Sequence, residues 1–256
     1  MTVPADDRGL LLGDGLFETV LFRAGEPVLW DAHLARLQRG CAVLGLSPPD
    51  PALLASEAAL ALAAAGLQDA RAAVRLTWTA GSGGRGLMRP QAPVPRLTVT
   101  AAPSPRLLGD AVVITASVRR NAASPSSRLK SLSYLDNVLA RREAAAVGAD
   151  EALMLNTDGR IAGASAANLF WIADGRLSTP SLAAGVLDGI MRGAVIAAAR
   201  RLGAPVEEVL TGPPVAEALF LTSSLIGIRR IARLDGGHVG SHPLLATLQR
   251  AVEPFC

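Results

Sequence analysis

Short apolar runs bounded by turn residues alternate with longer apolar stretches of helical spacing along this chain. Gly13-Asp14-Gly15 forms a tight turn before a strand over residues 16–22. Ala24-Gly25-Glu26-Pro27 turns that strand into a second, short one ending at Trp30. Leu34, Leu37, Cys41 and Leu44 recur on one face of a helix expected over 32–44, with Asp31 as its N-cap. A second helix starts at Pro48-Pro49-Asp50 and runs to Ala65. Strands follow over 72–79 and 96–101, separated by the glycine cluster 81–86, and another is expected over 111–117. Beyond residue 127 the pattern predicts a helix over 134–147 with Leu135, Val138, Leu139 and its alanines inward. Hairpins follow at 151–162 and 168–179, then a helix over 190–202, strands over 218–222 and 226–231, and a last helix from Pro243. Strands joined largely by hairpins, with a few helices between them, indicate an α+β fold rather than a doubly wound parallel sheet. Pro103-Ser104-Pro105 and Asn121–Ser127 read as linkers. The expected division is therefore a first domain over 1–110, a strand and linker region over 111–127, and a second domain over 128–256.

Composition removes several function classes. Half of the 256 residues are hydrophobic and 18% are charged, as in an ordinary water-soluble protein. The net charge of +3 comes from scattered arginines without aromatic interleaving, which speaks against nucleic acid as a partner. No apolar run reaches membrane-spanning length, and the N-terminus lacks the form of a secretion signal, so a cytoplasmic protein with no membrane partner is expected. Cys41 and Cys256 have no metal-ligand spacing, and no metal site is expected. One count changes the picture: the chain has 25 basic residues, and a single one of them, Lys130, is a lysine. An amine can lose its proton and attack a carbonyl, whereas a guanidinium in practice cannot.

The glycine cluster 81–86 lacks the strand-to-helix setting of a phosphate loop and reads as a mobile loop bearing Arg85. Anion-binding features lie further on. Gly189-Ile190-Met191 opens a helix, where free N–H groups and the helix dipole favour phosphate. Thr222-Ser223-Ser224 ends an apolar strand with hydroxyl and N–H donors, and an arginine such as Arg36 could add charge. With a lone lysine, these features suggest a phosphorylated aldehyde cofactor, pyridoxal 5'-phosphate.

The ordered segments GDGLFETV (13–20), HLARL (33–37), LKSLSYLDNVLA (129–140), GADEALMLNTDGRIA (148–162), ASAANLFW (164–171), GVLDGIMR (185–192) and LFLTSS (219–224) resemble the class IV, fold-type IV pyridoxal-phosphate enzymes. That group includes branched-chain and D-amino-acid aminotransferases and 4-amino-4-deoxychorismate lyase, and the motifs and short length are most like the lyase. The resemblance implies a two-domain fold like that of D-amino-acid aminotransferase, with the cofactor at the domain junction in a homodimer. It implies that Lys130 is the Schiff-base lysine and proton-transfer base, and that Arg36 is a phosphate ligand. Ile190 and Met191, after Gly189, would offer N–H groups to the phosphate, with Ser223 and Ser224 opposite. Asn168 would line the cofactor side, and Ala166 and Ala167 the substrate side. Thr19, Arg75 and Arg85 are candidates for substrate carboxylates. His33 is expected to be a structural hydrogen-bonder.

One position departs from the pattern. Where the family carries the glutamate that pairs with the cofactor's pyridine nitrogen, this chain has Gly163. Without that acid the ring should be a weaker electron sink. Lyase action on aminodeoxychorismate releases pyruvate and creates an aromatic ring, so it should tolerate a weak sink better than transamination does. The expected function is that lyase, giving 4-aminobenzoate for folate biosynthesis. The alternatives are a class IV aminotransferase for branched-chain or D-amino acids, and a family member of little or no activity.

Overall fold

Even-numbered side chains of two neighbouring strands build the first core. Leu16, Val20 and Phe22 of β1 (Gly15–Arg23) and Val74, Leu76 and Trp78 of β3 (Arg71–Thr79) cluster with Leu37 and Cys41 of α2 (Trp30–Leu44) and with Leu54, Ala58 and Leu62 of α3 (Pro51–Ala64). This is the alternation that a sheet covered by helices on one face requires. The computed structural model describes residues 3–256. In it the first unit comprises the described residues up to Pro105 together with Leu129–Ser133, and the second Arg106–Arg128 together with Tyr134–Cys256.

The sheet of the first unit is antiparallel in the order β2-β1-β3-β4, with β2 at Glu26–Pro27 and β4 at Arg96–Pro103. The short helix α1 (Arg8–Leu12), which the apolar pattern did not predict, precedes β1. It is capped by Asp7, whose side chain accepts from the N–H groups of Gly9 and Leu10. The helix expected from residue 32 begins two residues earlier, at Trp30. Its cap is the backbone of Leu29 in the left-handed region (φ 55°), not the side chain of Asp31. That early start limits β2 to two residues.

A short β2 leaves the beginning of β1 without a partner on one edge, and the segment Leu129–Ser133 fills it. The Phe17 N–H donates to the Lys130 carbonyl at 2.8 Å, the Leu132 N–H donates to the Gly15 carbonyl at 3.0 Å, and Leu16 bridges Ser131. The sequence placed this segment with the second domain. Backbone pairing ties it to the first unit instead, because unpaired strand-edge groups are costly to leave unsatisfied.

The second unit is a nine-stranded mixed sheet in the order β10-β9-β8-β11-β12-β5-β6-β7, with β13 (Gly237–His238) on β12. Its strands are β5 (Ala111–Arg120), β6 (Glu151–Asn156), β7 (Ile161–Ala164), β8 (Asn168–Ala173), β9 (Arg176–Pro180), β10 (Val206–Val209), β11 (Ala218–Ser223) and β12 (Gly227–Leu234). The hairpins β6–β7 and β8–β9 lie where the turn residues predicted them. The unpredicted β10 extends the sheet parallel to β9. Helices α5 (Ile190–Arg201) and α6 (Pro243–Val252) bury Met191, Val195, Leu245 and Leu248 against Phe170 and Phe220. The rings of Phe170 and Phe220 stack at 5.2 Å. The helix α4 (Leu135–Ala146) corrects one expectation. Ala140 and Ala144 pack on Ala116, Ala152 and Met154, whereas Leu135, Val138 and Leu139 are exposed. Small residues let the helix approach the sheet closely, and the large ones turn outward.

Candidate active site

Lys130 is held by its backbone on β1, and three charged neighbours act on its amine. Burial disfavours the ammonium most. The Arg36 guanidinium repels it, Glu18 attracts it and Arg75 repels it, and the net result pushes its pKa down to about 7. The side chain itself is only half-buried, so the amine is recessed in protein and still reachable. Its Nζ lies 4.1 Å from the centroid of the Phe17 ring, and the Arg75 guanidinium lies 3.7 Å from the same ring. The Phe17 ring thus attracts two cations at once. Thr19 is the register partner of Arg75 across β1 and β3. The structure therefore brings Lys130, Arg36, Arg75 and Thr19 into one region of the first unit.

The residue that organises this region was overlooked in the sequence. Glu18, 1% exposed, accepts hydrogen bonds from Arg36 Nε at 2.8 Å and Arg36 Nη2 at 2.6 Å, and pairs with His33 Nδ1 at 2.7 Å. His33 and Arg36 lie three residues apart on α2 and so face β1 together. Burial alone would raise the Glu18 pKa, but the hydrogen bonds from Arg36 and His33 and the Arg36 charge outweigh it and bring it to about 2. Burial lowers the His33 pKa despite Glu18, so a neutral imidazole donating from Nδ1 to the carboxylate fits the site. His33 is the structural hydrogen-bonder expected of it. Arg36 spends two donor positions on Glu18, a bidentate pairing that fixes the plane of its guanidinium. An acid within the apolar run LFETVLF was the available signal, since a buried carboxylate requires partners.

The loop at 81–86 is not loose at its roots. Arg8 donates to the carbonyls of Gly86, Leu87 and Met88, and Arg89 donates to the carbonyls of Leu44 and Gly45. Both arginines converge on the Asp14 carboxylate, whose pKa is held low chiefly by the Arg89 hydrogen bond against the opposing effect of burial. The loop is thus tethered where the sequence suggested free motion, although Arg85 at its tip is exposed.

In the second unit the predicted anion-binding residues also converge. Asn168 opens β8 opposite Thr222 of β11, and its Nδ2 donates to the Leu187 carbonyl at 2.9 Å. Its Oδ1 lies so close to Gly189 that a Cβ on that glycine would come within 1.9 Å of it, so only glycine fits. Gly189 caps α5 without a side-chain hydrogen bond, which leaves the first-turn N–H groups of a 12-residue helix directed outward. Thr222 Oγ1 is buried without a hydrogen-bond partner; Ser223 ends β11 after it and Ser224 starts the turn to β12. Uncapped N–H donors and an orphaned buried hydroxyl suit a phosphate, so these residues fit the phosphate end of pyridoxal phosphate. Ala166 and Ala167 form the bend between β7 and β8, and the Ala167 carbonyl accepts from the Ala164 N–H. Gly163, in β7, has a φ of +90°, so the backbone itself is shaped for glycine at the position where the resemblance implied an acid. Among the described residues no group of acidic, histidine or cysteine side chains could hold a metal ion, and no helix is long and apolar enough to cross a membrane.

Comparison with known proteins agrees with this geometry. Residues 15–234 match the amino-transferase class IV family. An aminodeoxychorismate lyase from Bacillus subtilis is 32% identical over 94% of this chain and 84% of its own length. A Methanocaldococcus jannaschii protein provisionally named a branched-chain-amino-acid aminotransferase is 33% identical over 97% of this chain and 88% of its own. The crystal structure of 4-amino-4-deoxychorismate lyase from Pseudomonas aeruginosa superimposes with a TM-score of 0.89 at 32% identity, covering 99% of this chain and 95% of the other. A recessed lysine of low proton affinity and a helix N-terminus without a side-chain cap are what pyridoxal-phosphate chemistry needs, and the chain belongs to the class IV aminotransferase family of pyridoxal-phosphate enzymes.

Proposed function

We propose that this protein is a 4-amino-4-deoxychorismate lyase, which releases pyruvate and leaves 4-aminobenzoate, a step of folate biosynthesis. The observation that carries the proposal is Gly163. Its positive φ builds the loss of the ring-nitrogen acid into the backbone, and a reaction that ends in an aromatic ring needs that acid least. The lyases from Bacillus subtilis and Pseudomonas aeruginosa support the reading by their similarity over nearly the whole chain. When bound, pyridoxal phosphate supplies a carbonyl that amines add to and a ring that withdraws electrons from the adjacent carbon.

In this reading the chain's own residues divide the work. Lys130, about half neutral near pH 7, carries the cofactor and takes the substrate proton lost on aromatisation. Ile190 and Met191, beyond Gly189, together with Ser223 and Ser224, bind the phosphate, and the family assignment of Arg36 to that phosphate belongs to the same proposal. Asn168 fixes the loop that leads to the phosphate-binding helix. Ala166 and Ala167 leave room for substrate, and Thr19, Arg75 and Arg85 meet its carboxylates. The enzyme works as a cytoplasmic homodimer, and the exposed apolar side chains Leu135, Val138 and Leu139 of α4 are surface that a second copy would cover.

The test is to supply purified protein with pyridoxal phosphate and aminodeoxychorismate and to measure 4-aminobenzoate and pyruvate, with amino-group exchange between glutamate and 2-oxo acids measured in parallel. Stoichiometric 4-aminobenzoate and pyruvate are expected. Amino-group exchange alone would replace the proposal with the aminotransferase reading, which the Methanocaldococcus relative favours.

A further inference from the structure

Arg120 is a buried cation that the site described above does not use. It ends β5, is 9% exposed, and among the described residues no carboxylate pairs with its guanidinium. Its two hydrogen bonds are a long one to a carbonyl and one to a weak thioether acceptor. Nη1 donates to the Gly185 carbonyl at 3.4 Å, and Nη2 lies 3.4 Å from the Met154 sulphur. Burial works against its charge most, and the exposed Asp136 carboxylate and the Tyr134 side chain favour it less. A buried guanidinium of this kind costs free energy unless something supplies an acceptor.

The two contacts locate the guanidinium. Met154 stands in β6 between Leu153, which pairs with Ala164, and Leu155, which pairs with Ile161. The irregular step of β7 opposite Met154 is therefore Ala162–Gly163. Gly185 lies between Ala184 and Val186, and both pack on Ala162. Arg120 is thus bracketed, from β6 and from the loop before α5, around the strand step that contains Gly163. A Cβ at Gly163 would meet only the Ala167 carbonyl, at 3.3 Å, so the position where the family's acid would project is open. The same loop, four residues beyond Gly185, reaches Gly189 and the N-terminus of α5.

We propose that Arg120 takes the place of the missing acid and donates a hydrogen bond to the pyridine nitrogen of bound pyridoxal phosphate, holding that nitrogen unprotonated. The inference rests on the cofactor occupying the second unit with its phosphate at α5. A glutamate at this nitrogen keeps it protonated, whereas a guanidinium always carries its own protons and can only donate. The polarity of the contact is then the reverse of that implied by the family pattern. The ring is a weak electron sink by construction, and Arg120 is a positioning and tuning residue rather than a base.

The test uses the protein loaded with pyridoxal phosphate labelled with nitrogen-15 in the ring. In the wild type the ring-nitrogen resonance should stay at the unprotonated position across the neutral pH range. In Arg120→Leu it should move, and the cofactor should bind about tenfold more weakly, the equivalent of one hydrogen bond to a charged group. Affinity for inorganic phosphate should be unchanged. The cofactor-free Arg120→Leu protein should be no less stable than wild type, since an apolar side chain replaces a buried charge that no carboxylate pairs with. A protonated ring nitrogen in the wild type overturns the inference while leaving the cofactor reading intact. So does a variant that loses stability but keeps its cofactor affinity. Failure of the wild type to develop a Lys130-dependent visible absorbance with pyridoxal phosphate overturns both.

Discussion

Glu18→Gln removes the one negative charge among the groups acting on Lys130, and its consequences can be worked through in advance. Glu18 has a pKa of about 2 against an ordinary 4.5, which corresponds to about 3 kcal/mol of preferential stabilisation of the carboxylate in the folded chain. The sign is fixed by linkage. A depressed carboxylate pKa gives stability that is present above pH 4.5 and lost as the pH falls towards 2. The neutral amide keeps one acceptor oxygen but leaves Arg36 without its ion pair, so a loss of about 3 kcal/mol is expected at neutral pH, the low end for breaking a buried pair. The same loss should flatten the acid limb of the stability profile, because the group that titrates there is gone.

The second consequence is chemical. Glu18 raises the proton affinity of Lys130, while Arg36 and Arg75 lower it. Removing Glu18 must move the Lys130 pKa below about 7, not above it. At that value about half of the amine is neutral at pH 7, against roughly one part in 3,000 for an ordinary lysine. The chain has a single lysine, so amine labelling read on the peptide that contains Lys130 isolates this group. Wild-type labelling should rise with a midpoint near 7, and the Glu18→Gln midpoint should lie lower. An unchanged or higher midpoint in the variant would refute the assignment of Glu18 as the restraint on Lys130. A wild-type midpoint in the ordinary lysine range would refute the recessed site altogether.

Other substitutions probe the supporting structure. Asp14→Asn loosens two arginines at once and should speed limited proteolysis within residues 83–90 several-fold, with little effect on the first unit's core. Gly163→Ala should cost about 1 kcal/mol in denaturant unfolding, because a φ of +90° suits no L side chain; Gly163→Glu carries the same strain and is not a simple restoration of the family's acid. Asn168→Ala removes the bond to the Leu187 carbonyl and should weaken pyridoxal-phosphate binding about fivefold by titration, with Lys130 labelling unchanged.

The strands were legible because each buries apolar side chains between turn residues, and those signals are local. The cluster around Lys130 was only half legible. The lone lysine and the arginine of HLARL stand out by composition and motif, but their mutual effect depends on Glu18, whose importance appears only when β1 and α2 pack face to face. The capping of α2 by Leu29 could not be read either, since a leucine at positive φ is a backbone solution that tertiary packing imposes. The outward leucines of α4 deceived for a related reason. Periodicity locates an apolar stripe, but Ala140 and Ala144 set how near the helix comes to the sheet, and the closer face wins. The attachment of Leu129–Ser133 to the first unit rests on backbone hydrogen bonds, which leave no trace in side-chain pattern.

The charge balance around Lys130 favours a particular kind of substrate. Lys130, Arg36 and Arg75 are three basic groups set against the single carboxylate of Glu18, and that carboxylate is committed to Arg36 and His33. Repulsion from the two arginines is part of what keeps the lysine proton weakly held, so an anion that neutralises Arg75 should return proton affinity to Lys130. A substrate bearing carboxylates would then switch the amine from a group poised to give up its proton to one able to take a proton from substrate, at the moment it is needed. The labelling midpoint of Lys130 should accordingly rise when a dicarboxylate analogue of the substrate is added, and the rise should vanish in Arg75→Leu. A midpoint indifferent to the dicarboxylate would mean that Arg75 acts on Lys130 only through the fixed field of the fold, and that substrate charge has no part in setting the base.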